Sequence, residues 1–501
     1  MPRLCFGLRW LRGALVFGIF LMGKIGPDLA VAADAKTPTA VPKASSLKID
    51  LDKAIDVPLP VVEGLKPVQF RTSDGKAGWV LRIPGGRPIA TPAYADGLLF
   101  VGGGYGSHEF YAFDARTGAL TWKIKTADDG PTAAVVEDGY VGFNTESCTV
   151  IVVDEKTGKV IWQEWLGDPL MSQPAISDGR LFIAYPSGQR NGKNPSHSLA
   201  ANKDESGYKM LAVDLKTGHH LWQQEIPSDV ISAPVVNGGH VYATCFDGTS
   251  LALEASTGRI LWRKQGSATT APIVAGDQII LTRKLQQAAS QYEGMARLEA
   301  SNGNDKDREL LAKSRAAYLA EGKGMASALP VTEQKNLDQA VGFAAPPPAA
   351  KMAMASKNIG LNSIAGGWAY QGSRVAQSNG ALFNVEGKFV NSLKAKDGAS
   401  QWRAELTGKS VSDNQQVFSP PALGKQYMYL SSATGHLVSV RKQDGQTGFI
   451  YAFQKPMVFQ PALVDGRVYV GTANGLVICL DTNSKDADGW YAWGGNAQHN
   501  K

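Results

Sequence analysis

The chain has 501 residues, 44% hydrophobic and 19% charged, which is long enough for a large core and too apolar for an extended disordered chain. The formal charge is +6, and Arg3, Arg9, Arg12 and Lys24 against Asp28 supply half of it from the N-terminal stretch. What remains is too small to mark a nucleic-acid-binding surface, while 55 glycines point to many short strands joined by tight turns.

The first element is a secretory signal over residues 1–32. Arg3, Arg9 and Arg12 form a basic start, Gly13 to Gly23 is an apolar stretch, and Ala30-Val31-Ala32 offers a small-residue cleavage site. An uncleaved N-terminal anchor is the competing reading, but the apolar stretch is too short to span a bilayer. Ala33, not Cys, follows the cleavage site, so a lipid anchor is not expected there. Three cysteines remain in the mature chain, Cys148, Cys245 and Cys479; a sparse, odd count in apolar surroundings predicts buried free thiols, not a disulfide framework. Residues 33–65, rich in Ala, Pro, Lys and Val without periodicity, read as a flexible tether.

From there one word recurs. Tyr111 to Trp122 is YAFDARTGALTW, Val152 to Trp162 is VVDEKTGKVIW, Ala212 to Trp222 is AVDLKTGHHLW, and Ala252 to Trp262 is ALEASTGRILW. The form A-x-D-x-x-T-G-x-x-x-W describes a hairpin. Small and apolar residues build a strand buried on both faces. The Asp accepts hydrogen bonds from the backbone ahead of it, the Gly supplies a positive φ, and the Trp points inward from the returning strand. Degenerate copies lie at Ser301-Asn302-Gly303, at Asp397-Gly398 leading to Trp402, at Asp444-Gly445 leading to Phe449, and at Cys479-Leu480-Asp481. Asp74-Gly75 leading to Trp79 is an orphan half, suited to supply the outer strand that the last copy lacks.

Each word follows a second pattern of apolar strand, turn and apolar strand, as in PAYADGLLFVG, PAISDGRLFIA and PALVDGRVYVG. One unit is therefore four short strands, and about eight units follow one another. The turn glycines Gly118, Gly158, Gly218, Gly258, Gly398 and Gly445 set a basic period of about 40 to 47 residues, which is that of a propeller blade. The expected fold is all-β: an eight-bladed β-propeller of four-stranded antiparallel blades over residues 66–501.

The word resembles the tryptophan-docking motif of quinoprotein-like (PQQ-repeat) β-propellers, over nearly all of the mature chain. The tail Gly489-Trp490-Tyr491-Ala492-Trp493-Gly494-Gly495-Asn496 is similar to a segment common in that family. The resemblance implies that Trp79, Trp122, Trp162, Trp222, Trp262, Trp402 and Phe449 dock one blade on the turn of the next. It also implies two functional readings. Quinone-dependent members oxidise alcohols or sugars with pyrroloquinoline quinone and calcium. Quinone-free members of the BamB type bind protein partners.

Two insertions interrupt the repeat. Residues 186–207 are polar and read as a surface loop. Residues 304–366 contain a helical stretch over 305–321 and a Pro/Ala-rich run, placed to cap the channel, to contact a partner or only to decorate the blade.

Chemistry is thin by comparison. Calcium needs convergent oxygens, and the strand starts that line the axis, Thr91-Pro92-Ala93, Pro131-Thr132-Ala133, Ser172-Gln173-Pro174, Ser232-Ala233-Pro234 and Thr269 to Pro272, are small and neutral. There is no Cys-Cys pair and no C-x-x-C-H haem site. Gly102-Gly103-Gly104-Tyr105-Gly106 lies between two strands and reads as a blade loop, not a phosphate cradle. His219 and His220 face opposite sides of a strand, and no Ser/His/Asp set can be assembled. The expectation is an exported, periplasmic, monomeric scaffold that binds protein partners in the cell envelope, with no catalytic residues, no metal, no cofactor and no nucleic acid. The alternatives are a PQQ- and calcium-dependent dehydrogenase and a propeller that takes a small ligand on its axis.

Overall fold

The docking word folds as its chemistry dictates. In the computed structural model, which describes residues 47–146, 148–167, 172–187, 207–287, 290–306, 371–411 and 418–501, the Asp114 carboxylate accepts from the Thr117 N–H and hydroxyl, both at 2.7 Å. Asp154 and Asp214 hold Thr157 and Thr217 in the same way. The turn closes with the Gly118 N–H on the Asp114 carbonyl at 2.8 Å, and Gly118 has φ +75°. The flanking strands slip by one residue, so Ala112 faces Trp122 while Phe113 faces Leu120. The same slip recurs in blades two, three, four, six and seven. It is a β-bulge, and it fixes which way the tryptophan points.

Among the described residues these hairpins are the outer halves of six of eight separate sheets. Blades one to seven span residues 93–125, 135–165, 175–226, 235–264, 273–299, 376–407 and 422–452. Blade eight takes its first three strands from 462–481. Its fourth strand is Ala77–Arg82, paired antiparallel with Leu476–Asp481, and Val68–Arg71 adds a fifth. The orphan half at Asp74 thus closes the ring, and the chain is an eight-bladed β-propeller. Blade five shows three strands among the described residues; the helical reading of 305–321 and most of both insertions lie outside those residues.

The tether reading of 33–65 needs correction from residue 47 onward. Leu47–Asp50 pairs in parallel with the outer strand of blade six, from Leu47 opposite Ala404 to Asp50 opposite Thr407. Ile55–Asp56 pairs in parallel with the outer strand of blade seven. Ile49, Leu51, Val57 and Val62 are buried. The alternation of Ile49 and Leu51 with charged neighbours is a strand signal, but it is too short to stand out beside the Ala/Pro-rich run before it. With Val68–Arg71, these segments give the outer edges of three consecutive blades an extra strand, which caps edges that would otherwise be open to association.

The core lies mostly in the seams between blades. Phe110 of blade one stacks on Phe143 of blade two with centroids 4.0 Å apart. Cys148, Cys245 and Cys479 are buried, and burial pushes the Cys245 and Cys479 thiols well above their ordinary range.

Candidate functional site

The expected docking residues occupy one repeated position. The Trp79 indole N–H donates to the Ala115 carbonyl of blade one at 3.3 Å. Trp122 donates to Glu155 at 2.9 Å, Trp162 to Leu215 at 2.7 Å, Trp222 to Ala255 at 2.9 Å, Trp262 to Ala300 at 2.7 Å and Trp402 to Lys442 at 2.8 Å. The acceptor is always the residue after the Asp position of the next blade's word. Each indole lies against the turn glycine beside it: Gly118, Gly158, Gly218, Gly258, Gly303 and Gly445.

Two members of the expected set differ. Phe449 sits opposite Ser439, in the docking register, but its ring has no N–H to donate and packs against Tyr429 and Tyr451 with centroids 6.0 and 4.8 Å away. Gly398 keeps φ +67°, and the carbonyls of its turn are taken by an arginine that the sequence reading missed. Arg297 of blade five donates to Ala395 at 2.9 Å and to Lys396 at 2.6 Å. An arginine on a strand carries no motif, so only its spatial neighbour reveals this substitute.

The propeller has two faces. One carries the docking turns and the turns between first and second strands, tied together where the Ala115 N–H meets the Gly97 carbonyl. The other carries the loops between second and third strands and the crossovers between blades. On the first face, residues 486–501 cross the ring of innermost strands. The Leu463 N–H of blade eight donates to Trp490 at 2.7 Å, Tyr94 of blade one to Tyr491 at 2.7 Å, Ile176 of blade three to Ala497 at 2.9 Å and Val236 of blade four to Gln498 at 2.9 Å. The Asp486 carboxylate accepts from Gln426 N, Tyr427 N and Tyr429 Oη of blade seven. Trp490, Trp493 and His499 are at most 1% exposed.

Arg374, at the start of blade six, anchors this tail. It is 1% exposed and stacks 4.7 Å from the Trp493 ring centroid. It donates to the His499 carbonyl at 2.5 Å and, at 3.4 Å, to the Pro272 carbonyl and the main-chain oxygen of Lys501. Burial lowers its pKa to about 9, which leaves it charged at neutral pH. Burial also lowers His499 to about 4. Its neutral ring therefore has one N–H to share between the Trp493 and Pro174 carbonyls, 2.7 and 2.8 Å away.

The opposite face holds an acidic group between blades one and two. Glu146 accepts from the Tyr105 hydroxyl, and the Glu146 N–H donates to the Asp129 carbonyl at 2.8 Å. Burial, opposed by Tyr105 and reinforced by Asp129 and Asp128, pushes Glu146 up to about 8, so it is protonated at neutral pH. A carboxyl raised in the fold binds its proton more tightly there than when unfolded. Its contribution to stability is complete below the unfolded pKa and fades as pH rises through about 8. We expect the melting temperature to fall between pH 5 and 9, and Glu146→Gln to flatten that fall; an unchanged slope in the variant would count against the assignment. The adjacent Asp128 and Asp129 and the later Glu146 form no sequence motif, so this grouping was not legible.

Among the described residues no group of three or more His, Cys, Asp or Glu is arranged to hold a metal ion, and no helix is long and apolar enough to cross a membrane. His220 is spent on Glu164, at 2.7 Å between the outer strands of blades three and two.

An eight-bladed ring latched by Trp-to-turn docking defines a PQQ-repeat propeller. Within that class, the chain matches the family model described as outer membrane protein assembly factor BamB over residues 68–196, 149–340 and 361–494, and it belongs to that family. The BamB protein of Yersinia pestis is 27% identical over 187 residues, covering 34% of this chain and 42% of its own length. That of Escherichia coli is 29% identical over 236 residues, covering 38% and 60%. The alignment thus spans less than half of the Yersinia relative's length. The crystal structure of BamB from Moraxella catarrhalis superposes with a TM-score of 0.50 at 15% identity, over 83% of this chain and 98% of that one. The quinohemoprotein alcohol dehydrogenase of Comamonas testosteroni gives 0.50 at 13%, over 81% and 76%. At such identities both likenesses are of fold.

Proposed function

We propose that this chain is an exported, non-catalytic scaffold that binds protein partners in the cell envelope and serves outer-membrane protein assembly, as the names of its relatives describe for them. Residues 1–32 are its export signal, and it works as a monomer without quinone or calcium. The observation that carries this reading is the tail across the axial ring. A ligand-oxidising propeller uses its axis, whereas this one fills one end of it with its own Trp490, Trp493 and His499. That leaves the opposite face, the rim and the loops as contact surface, on a frame whose repeated words hold only architecture.

The test is cross-linking of tagged protein in intact cells, followed by identification of captured chains, beside a calorimetric titration of the purified protein with PQQ and Ca²⁺. Capture of outer-membrane assembly components with no quinone binding is expected. Calcium-dependent quinone binding without such capture would sink the scaffold reading and direct attention to alcohol and sugar oxidation.

A further inference from the structure

The innermost strand of a propeller blade has a neighbour on one side only. In blade one, Ala93 and Ala95 pair with Phe100 and Leu98, and the N–H of Tyr94 between them points toward the axis. The amides that hold the tail are this same middle position in four blades: Tyr94 in Ala93–Ala95, Ile176 in Ala175–Ser177, Val236 in Val235–Asn237 and Leu463 in Ala462–Val464. Each donates to a main-chain carbonyl of the tail. A peptide at a sheet edge is likewise held by backbone amides, with pockets selecting side chains; here each blade gives one amide and the tail turns between them, as where the Tyr491 N–H meets the Gly495 carbonyl.

The side-chain contacts fit the same description. Gln460 accepts from the Gly494 N–H at 3.0 Å. The partners of Arg374 on the tail are main-chain oxygens and an indole face, with no side-chain carboxylate among them. A buried guanidinium so arranged recognises backbone and an aromatic ring, and leaving it without them would strand a desolvated charge. The link into the tail differs in character: Asn483, Ser484 and Lys485 are exposed, between a blade strand that ends at Asp481 and the buried Asp486.

We propose that the ring of innermost strands is a peptide-binding site, and that residues 486–501 are its ligand, held in cis and replaceable in trans by a peptide of the same Trp-bearing sequence. The ring then has a specificity of its own, for the Trp490/Trp493 spacing and for carbonyls presented to Arg374. It is separate from any partner surface on the loops.

The test keeps the whole chain. A specific protease site is placed at Asn483 to Lys485, the folded protein is cut there, and the product is passed over a sizing column. A fluorescent synthetic peptide of residues 486–501 is then added in excess. The expected result is that the cut tail co-elutes with the propeller and is replaced by the labelled peptide in saturable fashion. A peptide with Trp493→Ala, and a propeller with Arg374→Met, should each bind roughly 10-fold to 100-fold more weakly, the range for losing one buried charged or aromatic contact. Three outcomes would overturn the proposal: loss of the tail from a propeller that stays folded and takes up no peptide, unfolding of the propeller on cleavage, or retention of the tail with no exchange at any peptide concentration. The last two would make the tail part of the core and not a ligand.

Discussion

Trp122→Ala is expected to lower the unfolding free energy by about 3–5 kcal/mol, the range for removing a buried aromatic from a packed seam. Trp122 is 8% exposed. It contacts Phe100 and Phe110 at centroid distances of 5.9 and 6.2 Å, lies against Gly158 and donates to the Glu155 carbonyl. The substitution removes the ring from the junction of two blades and leaves a buried carbonyl without its donor, and the two costs act together. Trp165→Ala in blade two is the control. That tryptophan is 41% exposed and should stay within about 0.5 kcal/mol of the parent. Urea midpoints for the two variants decide the matter: equal shifts would show that docking position gives Trp122 no special weight.

The second large effect is expected at the receiving turn. Gly258 has φ +74°, and a Cβ built there would lie 2.4 Å from the Trp222 ring. Gly258→Ala therefore meets two penalties, about 1–2 kcal/mol for an L-residue in a left-handed conformation and about 1–3 kcal/mol for overpacking against a ring that cannot retreat. Gly139→Ala separates them, because Gly139 has φ +81° and nothing within 4 Å of the added carbon. We expect Gly258→Ala to lose clearly more stability than Gly139→Ala in the same urea series. Similar losses would mean that backbone strain alone explains the glycine, and that the ring can shift to make room.

Both predictions rest on residues legible in the sequence, because the docking word is local. Asp, Thr and Gly make their turn with one another, over five residues, so the word could be read before any contact was known. The spacing from Gly to Trp sets the bulge and thereby the direction of the ring. Counting such words gave the blades, and the orphan Asp74-Gly75 gave the closing strand.

Legibility ended where pairing was non-local. Leu47–Asp50 became a strand because the outer edge of blade six was available to it, a fact absent from the Ala/Pro-rich composition around it. Arg297 took over a docking role because blade five brought it against the Ala395 and Lys396 carbonyls. Phe449 kept the register of a docking residue and lost the hydrogen bond, since a phenyl ring has no donor. Asp129 and Glu146 met through a crossover and a turn that belong to different blades.

The sequence by itself determined the repeating unit and its number, because those features depend on turn chemistry and on a two-residue strand period, while the way each unit latches to the next was implied by the resemblance that the docking word carries. Only the tertiary structure decided what occupies the axis. Arg374 and His499 are more than a hundred residues apart, and nothing in the local preferences of either says that a carbonyl of one will meet the guanidinium of the other. That contact exists because closing the ring lines up the inward amides of Tyr94, Ile176, Val236 and Leu463, and an unpaired buried amide must find an acceptor.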